Sequence, residues 1–462
     1  MIKLIYVAVV VLLIVYWFVE FIRQLSGKRE AAEEAAKTEE VATGEAVEEA
    51  AKAEEVATGE AVEEAAKTVE VAQGRPEEKI TLRTAAKVFG LALLFRLLLY
   101  VCATTIYMIF RDEAKFSLQA FFECWAHWDS PHYLDIAEKG YANCIENGQH
   151  LFLVFFPLYP WLVRLFHLIC PSWQLAGMLV STLSFAVGAV FFYATLVREY
   201  DRDVAEKALV LLSVSPFAFF FGAAMTESLF FCMVSIAFYL IKRHCWLGVG
   251  LIGLLCSLCR AQGVIIFGVA GVEFLLTYSP VRLAREKKLG TFFQYVFTKG
   301  IFLLLIPVGN LIYCYINYVV EGNAFQFVIY QREHWHLSPT FFTNSLEEIV
   351  SYLVNPTVGT SIKACIWIPE YLAFVLAMAA LAYGIKRHPL KYTAYLFVYT
   401  MICYSVTWLI SGGRYMLCAF PLFMIAGEFT HRHPKIYPWL ISLSSFLMAV
   451  YAAGYFLWKQ VM

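Results

Sequence analysis

The sequence predicts an all-α integral membrane protein of many spans, and three observations carry that prediction. Hydrophobic residues make up 60% of the 462 positions and charged residues only 16%, against about a quarter charged in an ordinary soluble domain. The apolar residues gather into runs of about 20, the length that crosses a bilayer as a helix. Lysine and arginine fall in every second loop between the runs, the pattern of cytoplasmic loops. A formal net charge of −1 leaves no basic surplus of the kind that binds nucleic acid.

Residues 2–22 are almost wholly apolar and end at Arg23, Lys28 and Arg29, with no small-residue cleavage site behind them. Such a run is too long for a signal-peptide core and reads as a membrane anchor. A repeat follows: EEAAKTEEVATGEAV from Glu33, EEAAKAEEVATGEAV from Glu48, then EEAAKTVEVAQG from Glu63. Rich in Ala and Glu and broken by Gly44, Gly59 and Gly74, it reads as an acidic, partly helical spacer. The organisation predicted is a transmembrane anchor over 1–23, an acidic cytoplasmic linker over 24–80 that offers a place for a protein partner, and a polytopic domain over 81–462.

Apolar spans are predicted at 88–110, 174–197, 204–225, 226–241, 245–259, 262–278, 300–320, 362–385, 392–410, 414–429 and 436–457. The run 151–169 contains Pro157, Pro160 and Arg164, and is expected to be interfacial or re-entrant. With the N-terminus outside, the basic loops at 83–87, 198–202, 242–243, 282–299, 386–391 and 432–435 face the cytoplasm. The outer set then holds a large first loop at 111–173, turns near 226–228 and 260–262, a long loop at 321–361, and 411–414.

That outer set is rich in polar residues. The first loop has Trp125, His127, Trp128, Asp129, His132, Tyr133, Asp135 and Glu138. If 128–139 is helical, Asp129, His132 and Tyr133 share one face. Glu227, Arg260 and Arg414 each stand at the outer end of a different span. Ionisable residues at membrane depth pair with one another or serve a site; a Glu–Arg pair joining two helices is one reading, and a common site with the Trp-Asp loop is the other. The second fits glycosyl transfer from a lipid-phosphate sugar. Asp129 would take the proton from the acceptor hydroxyl, and Arg260 and Arg414 would stabilise the departing phosphate. Trp125, Trp128, Tyr133 and Tyr159 suit stacking on a sugar, or equally an aromatic belt.

The chain lacks both a Gly-rich phosphate loop and a DxD, which argues against a nucleotide-sugar enzyme. His127 with His132, or His334 with His336, have no further matched metal ligands in the sequence, and the CxxC at Cys256 and Cys259 has no second pair. A disulfide between Cys124 and Cys144 is left open by their outward placement.

WDSPHYLDIAEKGY (Trp128 to Tyr141) and FFPLYP (Phe155 to Pro160) resemble the signature of the phosphatidylinositol-glycan class V mannosyltransferases, the second mannosyltransferase of GPI-anchor synthesis, and of their prokaryotic relatives. SPFAFFFGAAMTESLF from Ser215, CRAQGVI from Cys259, GNAFQFVIYQREHW from Gly322 and GGRYMLCAFPLF from Gly412 resemble further stretches of that family, in the same order. The resemblance spans residues 88 to 430. It implies a GT-C fold, a polyprenyl- or dolichyl-phosphate mannose donor and inverting transfer to a glycolipid or glycan acceptor. It also implies no bound nucleotide cofactor, and the residues themselves offer no metal site. By matching position it implies Asp129 as the essential acid and places Glu227, Arg260, Gln331 and Arg414 in the site; Trp128, His132 and Tyr133, beside Asp129 in the first loop, complete the substrate-binding set expected from the residues. The anchor and the acidic linker depart from the family pattern and suggest a lineage-specific tether. Mannose transfer is accordingly expected more than GPI synthesis itself, and a bacterial cell membrane more than the endoplasmic reticulum. Two other readings remain: a flippase for a lipid-linked sugar, with Glu227, Arg260 and Arg414 along its path, and a scaffold recruiting a partner through the acidic linker.

Overall fold

In the computed structural model, which describes residues 2–26, 80–110, 117–457, 459 and 461, regular structure is helical apart from two isolated β-bridges. The acidic repeat lies outside the described residues. Helices α1 (Ile2–Leu25) and α2 (Leu82–Phe110) come first, then three short helices, α3 (Leu118–Glu123), α4 (Ser130–Lys139) and α5 (Leu158–His167). The core follows as α6 (Trp173–Glu199), α7 (Arg202–Ser213), α8 (Glu227–Lys242), α9 (Trp246–Cys259) and α10 (Ile265–Tyr278). A basic hairpin of α11 (Pro280–Arg285) and α12 (Leu289–Thr298) leads to α13 (Leu305–Glu321). Helices α14 (Gln326–His334) and α15 (Phe342–Val354) occupy the next long loop. The chain ends with α16 (Ile368–Gly384), α17 (Leu390–Cys403), α18 (Gly412–Met416), α19 (Phe420–Arg432) and α20 (Tyr437–Phe456).

Seven segments among the described residues are long and apolar enough to cross a membrane: Lys3–Leu25, Leu82–Phe110, Trp173–Glu199, Ala261–Arg285, Gly300–Glu321, Thr360–Gly384 and Tyr437–Phe456. The protein is an all-α, multi-span membrane protein. Fewer segments qualify than the sequence suggests. The runs expected at 204–225, 226–241, 245–259, 392–410 and 414–429 contain helices of 12, 16, 14, 14 and 13 residues. At 1.5 Å per residue these are about 18–24 Å long, short of a hydrocarbon core of about 30 Å.

In the run 204–225 the missing length is irregular backbone, and the protein supplies its hydrogen-bond partners. Helix α7 stops at Ser213, and residues 217–226 run through the interior with almost no exposure. Arg96 of α2, fully buried, donates to the carbonyls of Ala218 at 2.5 Å and Ser213 at 3.2 Å. Tyr100 donates to Gly222 O at 2.7 Å, and Ser228 to Phe221 O at 2.6 Å. Non-helical backbone survives at membrane depth only where protein or a cavity satisfies it. The run 151–169 is a 3-10 turn at Leu151–Val154 followed by the ten-residue α5, too short to cross, as its prolines suggest.

Helix α1 packs along the bundle and is not a detached tether. Lys3 pairs with Glu347 of α15 at 2.5 Å and donates to Asn344 Oδ1 at 3.1 Å. Tyr6 OH meets Tyr371 OH at 3.1 Å, and Trp17 Nε1 donates to Thr393 Oγ1 at 3.1 Å. At its far end Arg285 donates to Ser26 O at 3.3 Å. A helix of 24 residues is about 36 Å long, so α15 and the basic hairpin lie at opposite ends of the bundle. That is the separation the alternation of basic loops predicts.

Candidate active site

Asp129 enters its position through a tight turn. Trp128 has φ +54°, a conformation rare for a bulky side chain, and Asp129 is the N-cap of α4 with Ser130 and Pro131 beginning the helix. The expected helix at 128–139 therefore starts two residues late, and His132 and Tyr133 follow Asp129 on its first turn. Glu227 opens α8, where the helix dipole favours a carboxylate. Arg260 follows the end of α9 in an extended conformation, φ −155° and ψ 152°. The turn then folds back so tightly that a Cβ at Gly263 would overlap the Cys256 backbone, so only glycine fits. Arg414 lies in the five-residue α18.

These four groups form one chain of ion pairs. Arg414 Nη2 donates to Asp129 Oδ2 at 2.9 Å. Arg414 Nε stands 3.1 Å from Glu227 Oε1, an ion-pair contact whose angle falls outside a hydrogen bond. Arg260 Nη2 donates to the same Glu227 oxygen, and Arg260 Nε to Thr226 Oγ1 at 2.7 Å. The Phe220 and Tyr415 rings flank the Arg414 guanidinium at 5.4 and 5.5 Å, within cation–π range. Within the described residues, Arg260 Nη1 and Glu227 Oε2 make no hydrogen bond, which leaves donor and acceptor capacity unused in a buried setting.

The ion pairs floor a cavity of about 510 Å³. Seven of the eight residues singled out from the sequence line it: Trp128, Asp129, His132, Tyr133, Arg260, Gln331 and Arg414. Glu227 does not. Its side chain is 1% exposed, against 28% for Asp129, so Asp129 is reachable from the cavity while Glu227 braces the two arginines from behind. Burial pushes the Tyr133 phenol up, so it stays neutral. His132 packs on Phe152 and Phe155 at 4.5 and 5.4 Å.

Further lining comes from two segments distant in sequence. Residues 336–340 run beside 405–408. Thr340 N donates to Ser405 O, Thr407 N to Ser338 O and Ser338 N to Thr407 Oγ1, each at 2.9 Å. This pairing sets His336 and Leu337 beside Trp408 and Leu409, and with His334 and Trp335 they line the cavity. His336 and Trp408 have φ +55° and +51°. With Trp128, three of the seven non-glycine residues of positive φ among the described residues line this one cavity, and such strain gathers at functional sites.

Trp408, Leu409 and Tyr415 were not singled out from the sequence. Trp408 sits at the end of an apolar run, and nothing local separates it from an interfacial tryptophan. Trp125 and Tyr159, offered as stacking aromatics, are instead fully buried packing groups. Trp125 lies 4.8 Å from Tyr100, and Tyr159 donates to Gly177 O at 2.8 Å. Cys124 and Cys144 are both free, so the outer pair is not bridged. Cys256 and Cys259 are buried thiols on α9. Among the described residues no group of three or more His, Cys, Asp or Glu is placed to hold a metal.

No family model matches the chain, and no curated protein matches it. The solved structures to which the chain is similar include two glycosyl-transfer proteins of the membrane. One is ArnT from Cupriavidus metallidurans bound to undecaprenyl phosphate, with 14% identity over 73% of this chain and 60% of that one, at a TM-score of 0.45. The other is the archaeal oligosaccharyltransferase AglB from Archaeoglobus fulgidus, in complex with an inhibitory peptide and a dolichol-phosphate. It has 14% identity over 78% of this chain and 55% of that one, at a TM-score of 0.36. This chain spans about 60% of the length of the first and 55% of the second.

Proposed function

We propose that this chain is an inverting GT-C-type glycosyltransferase that moves a hexose from a polyprenyl- or dolichyl-phosphate carrier to a glycolipid or glycan hydroxyl on the extracytoplasmic side. The observation that carries the reading is the Asp129–Arg414–Glu227–Arg260 chain at the floor of an aromatic-walled cavity. Mannose as the sugar rests on the motif resemblance alone.

In this reading the phosphate of the donor sits against Arg414 and Arg260, both of which line the cavity. The acceptor oxygen attacks the anomeric carbon from the opposite face, and Asp129 removes its proton. The bond between the anomeric carbon and the phosphate oxygen breaks, its electron pair leaves with the lipid phosphate, and the two guanidiniums stabilise the charge that builds there. Glu227 keeps both arginines in register and neutralises them until the donor arrives. The Asp129–Arg414 contact gives the sequence of events a logic. A donor phosphate that competes for Arg414 frees the Asp129 carboxylate to meet the acceptor hydroxyl. The imidazoles and indoles that line the cavity, His334, Trp335, His336 and Trp408, suit the polar edges and apolar faces of a sugar.

The test is an in vitro transfer assay with purified protein, radiolabelled polyprenyl-phosphate mannose and a membrane lipid extract. Asp129→Asn, which keeps shape and removes the base, is expected to lower transfer on the order of 100- to 10,000-fold while melting like the wild type. Full activity in the Asn variant would remove Asp129 from its role. Label that crosses a proteoliposome bilayer without entering a product would favour the flippase reading instead.

A further inference from the structure

The turn that presents Arg414 is held from behind by a residue of another helix. Glu370 lies on the first turn of α16, 2% exposed. Both its carboxylate oxygens accept the Gly412 backbone N–H, at 2.7 and 2.8 Å. Tyr404 OH in turn donates to the Glu370 carbonyl at 2.6 Å. Gly412 is the first residue of α18 and Gly413 the second. A Cβ on Gly412 would overlap the Glu370 carboxylate, and a Cβ on Gly413 would overlap the Phe217 ring. The turn is therefore clamped between a carboxylate on one side and an aromatic ring on the other. Arg414 follows directly, and its guanidinium reaches Asp129 at 2.9 Å.

A carboxylate at this depth is costly compared with an apolar side chain of the same size. Packing alone does not account for it; a strong acceptor for the first N–H of α18 does, because helix N-termini leave such donors unsatisfied. We infer that Glu370 is a positioning residue for the transfer reaction: it fixes the Gly412-Gly413-Arg414 turn so that Arg414 meets both Asp129 and the donor phosphate. The inference rests on the reading of Arg414 as the phosphate partner.

Glu370→Gln retains size and one acceptor oxygen, whereas Glu370→Ala removes the acceptor. Both are measured for kcat and donor KM in the transfer assay, and for hydrogen exchange of the 411–416 peptide. The Ala variant is expected to lose about 10- to 100-fold in kcat/KM, with faster exchange over 411–416, and the Gln variant to recover most of the loss. On an Arg414→Ala background, Glu370→Ala should add nothing, because both act through one group. An Ala variant with wild-type exchange and wild-type kcat/KM overturns the inference, as does a full additive loss on the Arg414→Ala background. Should the Ala variant not fold, Glu370→Asp takes its place, keeping the carboxyl group with a shorter reach; wild-type exchange and kinetics in that variant overturn the inference equally. If the wild type transfers no sugar, the proposed function fails, and the exchange of 411–416 still decides whether Glu370 holds the turn.

Discussion

The bundle carries a cluster of buried charge near each end, and the two are built alike but finished differently. At the end bearing the basic loops, Lys391 lies 2.9 Å from Glu273 and 3.3 Å from Glu199, Lys242 lies 3.1 Å from Glu199, and Tyr392 donates to Glu199 at 2.8 Å. At the other end, Asp129 and Glu227 meet Arg260 and Arg414. Each cluster pairs two carboxylates with two cations. The difference lies in what remains unused. In the first cluster the Glu199 and Lys391 side chains are 6% and 3% exposed and find their partners within the protein. In the second, Arg260 Nη1 is left without a hydrogen bond, and a cavity lined by Asp129, Arg260 and Arg414 opens beside it. A buried ion pair by itself is weak evidence for function. Unused hydrogen-bonding capacity beside an opening is what separates a site from a clamp.

Exchanging one cation in each cluster tests that contrast most severely. Arg414→Met is expected to lower transfer roughly 100- to 1,000-fold with little change in melting, because Asp129 keeps access to water. Lys391→Met takes the lysine from Glu273 and leaves Glu199 with Lys242 alone, and should cost about 3–5 kcal/mol of stability, while the folded fraction keeps its kcat/KM. Melting and transfer measured on the same two preparations decide it. A Lys391 variant that melts normally and fails to transfer would erase the distinction.

A smaller effect probes the broken segment that carries Glu227. Arg96→Leu leaves the carbonyls of Ala218 and Ser213 without their donor, at about 1–3 kcal/mol for each unsatisfied group. The melting temperature should fall. Transfer by the folded protein should also fall, since Phe220 and Glu227 belong to the segment that Arg96 holds. An unchanged melting curve would mean that the break is held by its packing alone.

The mildest prediction concerns His127, buried beside the site and 4.9 Å from the Tyr455 ring. Burial pulls its imidazole down to about 4, from an ordinary value of about 6.5, so the folded chain holds it neutral. The unfolded chain takes up a proton first as pH falls. Its contribution to stability is therefore complete above about pH 6.5 and is lost progressively as pH drops toward 4. Melting between pH 7 and pH 5 should show a decline that His127→Gln flattens; identical slopes in both proteins would remove His127 as the cause.

Much of the site was legible because its members break local rules. Glu227, Arg260 and Arg414 are ionisable residues at the ends of apolar runs, and that cost points to a shared purpose. Asp129, His132 and Tyr133 carry helical spacing within a polar loop. Glu370 was hidden because it sits inside an apolar run where one acid does little to mean hydropathy. Its task, receiving the Gly412 N–H, is set by a segment 42 residues away. Trp408 was hidden for a related reason, since it reaches the cavity only through the pairing of 405–408 with 336–340. The span at 204–225 was overread because hydropathy sums side chains and is blind to the backbone. The run carries no charge after Lys207, yet the helix ends at Ser213, and Arg96 and Tyr100 supply what the missing turns would have supplied.

What the sequence determined by itself is where apolar length exists, which loops carry the basic residues, and which polar residues stand at the membrane's edge. Those properties follow from transfer free energies summed over neighbours along the chain. Only the tertiary structure decided that Asp129 and Arg414, 285 residues apart, share one hydrogen bond. The same holds for Glu227, which lies behind the cavity and not in it, and for the N-terminal helix, which docks along the bundle. The ends of helices meet according to how whole faces pack and which backbone groups find partners across the bundle, and no window along the chain contains both sides of such a contact.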